Sequence, residues 1–263
     1  RQIIADLVAQ QYKRNDAGFQ RGCFRVRGDN LEVWPAHLDD RAWSLSFFGE
    51  ELESITEYDP LTGQKTDKFD KVRIYANSHY VTPKPTMMQA MIGIKKELRM
   101  RLDQLVGEGK LLEAQRLEQR CNFDIEMLEA TGVCNGIENY SRLLTDKKPG
   151  ETPYSLIDYF EAMDRPYLLI VDESHVSLSQ FRGMHAADRS RKEVLVDYGF
   201  RLPSALDNRP LKFDEYINKK ANFLFVSATP NELELDMSSE VAHQIIRPTG
   251  LLDPIIELKD SEF

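Results

Sequence analysis

Tyr167-Leu168-Leu169-Ile170-Val171-Asp172-Glu173-Ser174-His175 is the stretch on which the fold class turns. A continuous apolar run, with no polar residue alternating into it, suits a strand covered on both faces, as in a parallel sheet. A second run, Asn222-Phe223-Leu224-Phe225-Val226, has the same character and ends in Ser227-Ala228-Thr229-Pro230. Helical candidates lie between them at 191–198 and 214–219. Strand, helical connection, strand predicts an α/β unit with a parallel sheet. Both runs end in polar residues, at the carboxyl ends where open α/β sheets bind ligands.

Upstream of this region, from 151 to 263, the pattern changes twice. Residues 1–82 open with an amphipathic segment (Ile3, Ile4, Leu7, Val8) and continue in short alternating runs. Phe24 and Val26 share one face of a strand, and Arg25 and Arg27 share the other. Gly28-Asp29-Asn30 marks a turn. Leu31 and Val33 mark a second strand, and Trp43, Leu45 and Phe47 a third. Asp59-Pro60-Leu61-Thr62-Gly63 is another turn, and Val72 and Ile74 predict one more strand. The module should be small and mainly antiparallel. Pro83 and Pro85 then open a helical region, 83–150. Met87, Met91, Ile94, Leu98, Leu102 and Leu105 form one helix stripe, which Gly107-Glu108-Gly109 ends. Ala114, Leu117, Cys121, Ile125 and Leu128 form the next, so the two helices should make an antiparallel hairpin. The expected class is therefore α/β plus α+β: a parallel sheet, a helical insertion and a small β module.

The 263 residues carry 34 Lys and Arg against 43 Asp and Glu, a formal net charge of −9, with 41% hydrophobic residues. That balance excludes a disordered or fibrous chain. No apolar run approaches the ~20 residues of a membrane helix. Cys23, Cys121 and Cys134 are far apart, which disfavours a zinc site or disulfide framework and predicts a reducing, cytoplasmic setting. The charge is segregated. Between Lys13 and Arg27 there are five bases and one acid, and from Asp29 to Asp59 nine acids and one base.

Asp-Glu at the end of an apolar strand has a logic in nucleotide hydrolysis. Asp172 can hold Mg²⁺ through its water shell, because magnesium prefers oxygen ligands and sheds water reluctantly. Glu173 can deprotonate the water that attacks a γ-phosphate, with His175 beside it. A phosphate cradle G-x-x-x-x-G-K-[ST] is missing from the sequence. Gly109-Lys110 is followed by Leu111 and falls in the hairpin turn, so it does not serve. A metal-dependent hydrolase built on Asp172, Glu173 and His175 would need further ligands, and the sequence supplies no cluster of them.

Asp172-Glu173-Ser174-His175 and Ser227-Ala228-Thr229 together resemble motifs II and III of the DExH-type superfamily 2 ATPases, whose first RecA-like (P-loop NTPase) domain carries both. Longer stretches resemble the UvrB family of ABC excinuclease components. They include Phe19-Gln20-Arg21-Gly22, the run from Phe24 to Asp29, Leu111 to Leu117, Gly136-Ile137-Glu138-Asn139-Tyr140-Ser141-Arg142, Gly199 to Leu211, and Arg247 to Pro254. The resemblance implies a UvrA-interacting domain 2 at 1–82, part of helical domain 1b at 83–150, and at 151–263 the second portion of RecA-like domain 1a, reaching the start of the next domain. Beginning at Arg1 without a phosphate loop, the chain is expected to be a central piece of the family's protein, inactive alone.

The resemblance further implies a DNA-dependent ATPase of bacterial nucleotide excision repair, using ATP and Mg²⁺. UvrA would load it on damaged DNA through Arg14, Arg25 and Arg27, and UvrC would bind outside this chain. Arg25 and Arg27 should reach solvent side by side; binding of DNA phosphate there is the competing expectation. Ser227, Ala228 and Thr229 would couple nucleotide state to movement, the hydroxyls reaching the acids or His175. A UvrA-binding module of a transcription-repair coupling factor, without its own ATPase, is the alternative. The sequence departs from the family pattern at Ser46, His185, Ala187 and Asn231, in place of a common glutamate, tyrosine, glycine and glycine.

Overall fold

The computed structural model describes residues 1–245 and 254–257, so the closing motif, apart from Pro254, lies outside the described residues. The chain divides into two compact units, residues 1–155 with 185–211, and residues 156–184 with 212 onward. It is a mixed α/β protein.

In the first unit, α1 (Gln2–Ala9) buries Leu7. It leads into a six-stranded sheet in sequential order: β1 (Lys13–Arg14), β2 (Cys23–Arg27), β3 (Asn30–Val33), β4 (Ala42–Phe48), β5 (Glu51–Tyr58) and β6 (Lys65–Phe69). All pairings are antiparallel except β1 with β2. Period-two alternation sends Phe24, Leu31, Val33, Trp43, Leu45 and Ile55 to one face, where they form the core with Leu7 and Tyr12. The expected strand at Val72 and Ile74 is absent. Both residues pack on that core from a segment with no ladder partner. The sheet is completed instead by β5 and β6, whose charged outer faces hide the apolar alternation; only Ile55, Thr56 and Tyr58 of β5 are buried.

The helical hairpin matches its two stripes. α2 (Lys84–Gly107) buries Met87, Met91, Ile94, Leu98 and Leu105, and α3 (Leu111–Thr131) buries Ala114, Leu117, Cys121, Ile125 and Leu128. Gly109, at φ 75°, makes the turn between them, and Lys110 pairs with Glu108 at 2.9 Å. The polar Gly136–Arg142 motif becomes a 3-10 turn (Ile137–Tyr140) running into α4 (Ser141–Leu144). Arg142 bonds Asp207 at 2.5 Å and Glu97 at 3.4 Å, while Glu97 accepts the Ser204 N–H at 2.7 Å. The motif is thus a strut between α2 and the 3-10 turn Pro203–Asp207. Gly199 packs on α3 so closely that a Cβ there would lie 2.2 Å from the Glu113 carbonyl oxygen. Residues 185–211 therefore group with the hairpin, whereas the sequence reading takes 151–263 as one region.

The second unit contains α5 (Leu156–Glu161), β7 (Leu168–Val171), the first part of α6 (Ser174–Asp197), α7 (Phe213–Ile217), β8 (Asn222–Phe225) and α8 (Glu232–Met237). β7 and β8 pair in parallel, Leu168 opposite Asn222 and Val171 opposite Phe225. α6 begins at Ser174, well before the expected helix at 191–198. The expectation that both runs are buried on two faces fails. Val171 is buried and Phe223 packs on Tyr216, but Leu168, Ile170, Leu224 and Val226 are 57%, 58%, 46% and 43% exposed. This sheet has two strands among the described residues, and the second face of its apolar runs is left exposed.

Candidate functional site

Where β7 and β8 end, the chain makes two turns side by side. The ladder continues one step past the strands: Val226 N–H donates to Val171 O and Ser174 N–H to Val226 O, each at 3.0 Å. To enter α6 directly from β7, Glu173 takes φ 44°, a left-handed conformation without the glycine that normally relieves it. Asp172 Oδ1 accepts the Glu173 N–H at 3.0 Å. The Asp172 carbonyl accepts the Ser177 hydroxyl at 2.9 Å. Both acidic side chains remain in solvent.

His175 lies between the turns. Its Nδ1 is 2.8 Å from Ser227 Oγ and 3.5 Å from Glu173 Oε2. The hydroxyl of Ser227 therefore reaches His175 as the sequence suggested, while Thr229 contributes its backbone N–H, donating to Ser227 Oγ at 3.1 Å. Ala228 makes the step between them without a polar side chain. Asn231, where the family's pattern has glycine, stands at the start of α8, and its Nδ2 donates to the His175 carbonyl at 3.2 Å. Two residues escaped the sequence reading. Ser174 and Glu234 are both buried, and Ser174 Oγ donates to Glu234 Oε1 at 2.8 Å. Asn231-x-x-Glu234 is the spacing of a helix capping box, and that signal could have found the glutamate.

The three arginines of the β module sit in different settings. Arg25, expected in solvent, is instead enclosed: its side chain is 14% exposed, it pairs with Glu32 across the β2–β3 ladder, and its guanidinium lies 4.2 Å from the Phe19 ring centre. Burial works against its charge, but Glu32 prevails and holds the guanidinium above its ordinary value. Burial, then Glu32, pushes the neighbouring Tyr58 hydroxyl up to about 12. Arg25 and Glu32 stand directly opposite on adjacent strands, where opposite charges meet before either meets solvent. Arg14 pairs with Asp16 at 3.0 Å, and Asp16 also accepts the Val26 N–H. Arg27 is exposed and forms no ion pair among the described residues. Ser46 lies on β4 opposite Asn30 and beside a bulge, on the same open face.

Comparison with known proteins decides the family. A model of the UvrB interaction domain matches residues 1–80, and one of the UvrB third helical domain matches 85–146. Proteins named UvrABC system protein B are similar over the whole chain. That of Campylobacter hominis is 56% identical over 261 residues, 99% of this chain and 40% of its own length. Those of Campylobacter fetus subsp. fetus and Campylobacter jejuni subsp. jejuni are 56% and 55% identical over 263 residues, all of this chain and 40% of theirs. The chain belongs to the UvrB family. It spans about two fifths of the length of these UvrB relatives. Both UvrB domain matches end before the paired turns at Asp172 and Ser227, which only the whole-chain similarity covers. No helix among the described residues is long and apolar enough to cross a membrane.

Proposed function

We propose that this chain is the central part of a damage-verifying subunit of bacterial nucleotide excision repair. The full-length protein is a DExH-type ATPase that UvrA loads on damaged DNA and that recruits UvrC through another region. The observation that carries the proposal is the pairing of turns: at the carboxyl ends of two parallel strands His175 reaches both Ser227 and Glu173, and Asp172 precedes Glu173 on the same turn. The relatives' shared name, UvrABC system protein B, supports this subunit over a coupling-factor module without its own ATPase. The open apolar face of β7 and β8 supports a larger RecA-like parallel sheet in the parent, since such runs are written for strands covered twice.

In this reading 1–82 is the UvrA-interacting domain, 83–150 part of the helical domain, and 151–263 the second portion of the first RecA-like domain. The setting is cytoplasmic. Asp172, exposed and with one oxygen engaged by the Glu173 N–H, suits Mg²⁺ held through water. Bound with ATP, that ion would neutralise charge on the transferred phosphate. Glu173 takes the proton of the attacking water. His175 orients the Glu173 carboxylate and carries the link to Ser227, so Ser227 and Thr229 report the nucleotide state to the rest of the chain. Arg27 offers UvrA a guanidinium with no ion-pair partner among the described residues, with Arg25 on the same strand and Arg14 on the neighbouring one.

The test uses a full-length protein carrying this chain. Glu173→Gln keeps the size of the side chain and removes the base, so ATP binding should persist while turnover falls at least about a hundredfold. Normal turnover by that variant would defeat the assignment.

A further inference from the structure

We infer that Glu234 is a positioning residue for Glu173, acting through Ser174; this rests on the ATPase reading above. The left-handed φ of 44° at Glu173 persists only where the surroundings over-determine it. The next residue supplies that constraint. Ser174 is fully buried and is held at two points, its N–H by the Val226 carbonyl at 3.0 Å and its hydroxyl by Glu234 Oε1 at 2.8 Å. The backbone bond continues the β7–β8 ladder. The side-chain bond is what distinguishes this turn from any strand end.

Glu234 is itself 3% exposed, and its other oxygen accepts the Asn231 N–H at 2.8 Å. Both partners are neutral donors. A capping glutamate at the start of a six-residue helix serves as well in solvent, where its charge costs nothing to hydrate. Burying it is expensive for a cap alone and useful for a clamp. The same α8 turn touches α6 at His175 twice, through Ser227 Oγ and Asn231 Nδ2. Glu234 is the contact that reaches the residue next to the proposed base. A displacement of the β8–α8 turn is thereby passed to the Glu173 backbone.

Loss of the clamp should let Glu173 leave its strained conformation and reduce turnover without weakening nucleotide binding. In the full-length protein, Glu234→Ala should lower kcat for DNA-stimulated ATP hydrolysis about tenfold and leave KM for ATP within about twofold. Glu234→Gln should recover most of the rate, because its amide can donate to Ser174 Oγ and still accept from Asn231. Thermal unfolding of each variant is followed in parallel. If Glu234→Ala does not fold, Ser174→Ala removes the same bond with a smaller change and decides the matter on the same criteria. Wild-type kcat, or a raised KM with kcat kept, would overturn the inference. The Glu173→Gln protein separates the two readings: if it hydrolyses normally, the ATPase assignment fails first. If it is inactive while Glu234→Ala is not, only the clamp fails.

Discussion

Arg25→Glu and Arg27→Glu, made separately, should part company. Arg25 and Glu32 are 14% and 16% exposed and lie opposite each other on β2 and β3. Breaking a fully buried pair costs about 3–5 kcal/mol and a surface pair about 0.2–1. An enclosed but not dry pair falls between, at about 2 kcal/mol. Glutamate at 25 adds a carboxylate facing Glu32 and forfeits the packing on Phe19, so this is a lower bound. The sheet lies in a compact unit of about 180 residues, for which about 2 kcal/mol lowers the melting temperature by about 4–8 °C. Arg27 has no ion-pair partner among the described residues, and Arg27→Glu should stay within about 0.5 kcal/mol of the parent. Circular-dichroism melts of both variants, followed by titration with UvrA, provide the assay. Arg27→Glu should melt normally yet bind UvrA at least about tenfold more weakly. Arg25→Glu should melt early, and the exchange Arg25→Glu/Glu32→Arg should restore most of the loss. An Arg25→Glu protein melting within about 2 °C of the parent would refute the argument, because the enclosed pair would then contribute nothing.

Gly199→Ala should destabilise the fold by more than about 2 kcal/mol, since φ is 72° and the new Cβ would lie 2.2 Å from the Glu113 carbonyl oxygen; a urea midpoint equal to the parent's would remove that contact from the account. Burial pushes the Cys121 thiol from 9.0 to about 11 and the Cys134 thiol to about 12. Their contribution to stability is therefore complete below pH 9.0 and is lost as pH rises through 11 to 12, because the unfolded thiols ionise first. Urea midpoints should fall between about pH 8 and about pH 10.5, and less so in a Cys121→Ala/Cys134→Ala protein; equal slopes would sink the assignment to the thiols.

Much of this protein is legible in its sequence. The hairpin stripes match the buried faces except at Leu102, which is only partly buried, because a long amphipathic helix repeats its signal over many turns and leaves little choice of face. The turn at Gly109 follows from an equally local rule, and the parallel pairing of the two apolar runs from the strand–helix–strand order. Period two put Arg25 and Arg27 on one face of β2, as it must. What period two could not say was which residue of the neighbouring strand stands opposite. Register belongs to the tertiary structure, and it placed Glu32 against Arg25 and left Arg27 in solvent. Long-range pairings were hidden for the same reason. Nothing between 136 and 142 reveals that Arg142 will meet Asp207, and nothing near Glu234 reveals that it will be buried on Ser174, 60 residues earlier. The sequence determined which elements form and which faces are apolar, because those depend on neighbours a few residues away. Only the folded chain decided which charges are enclosed and which turns touch, because those depend on residues far apart being brought within a few ångströms.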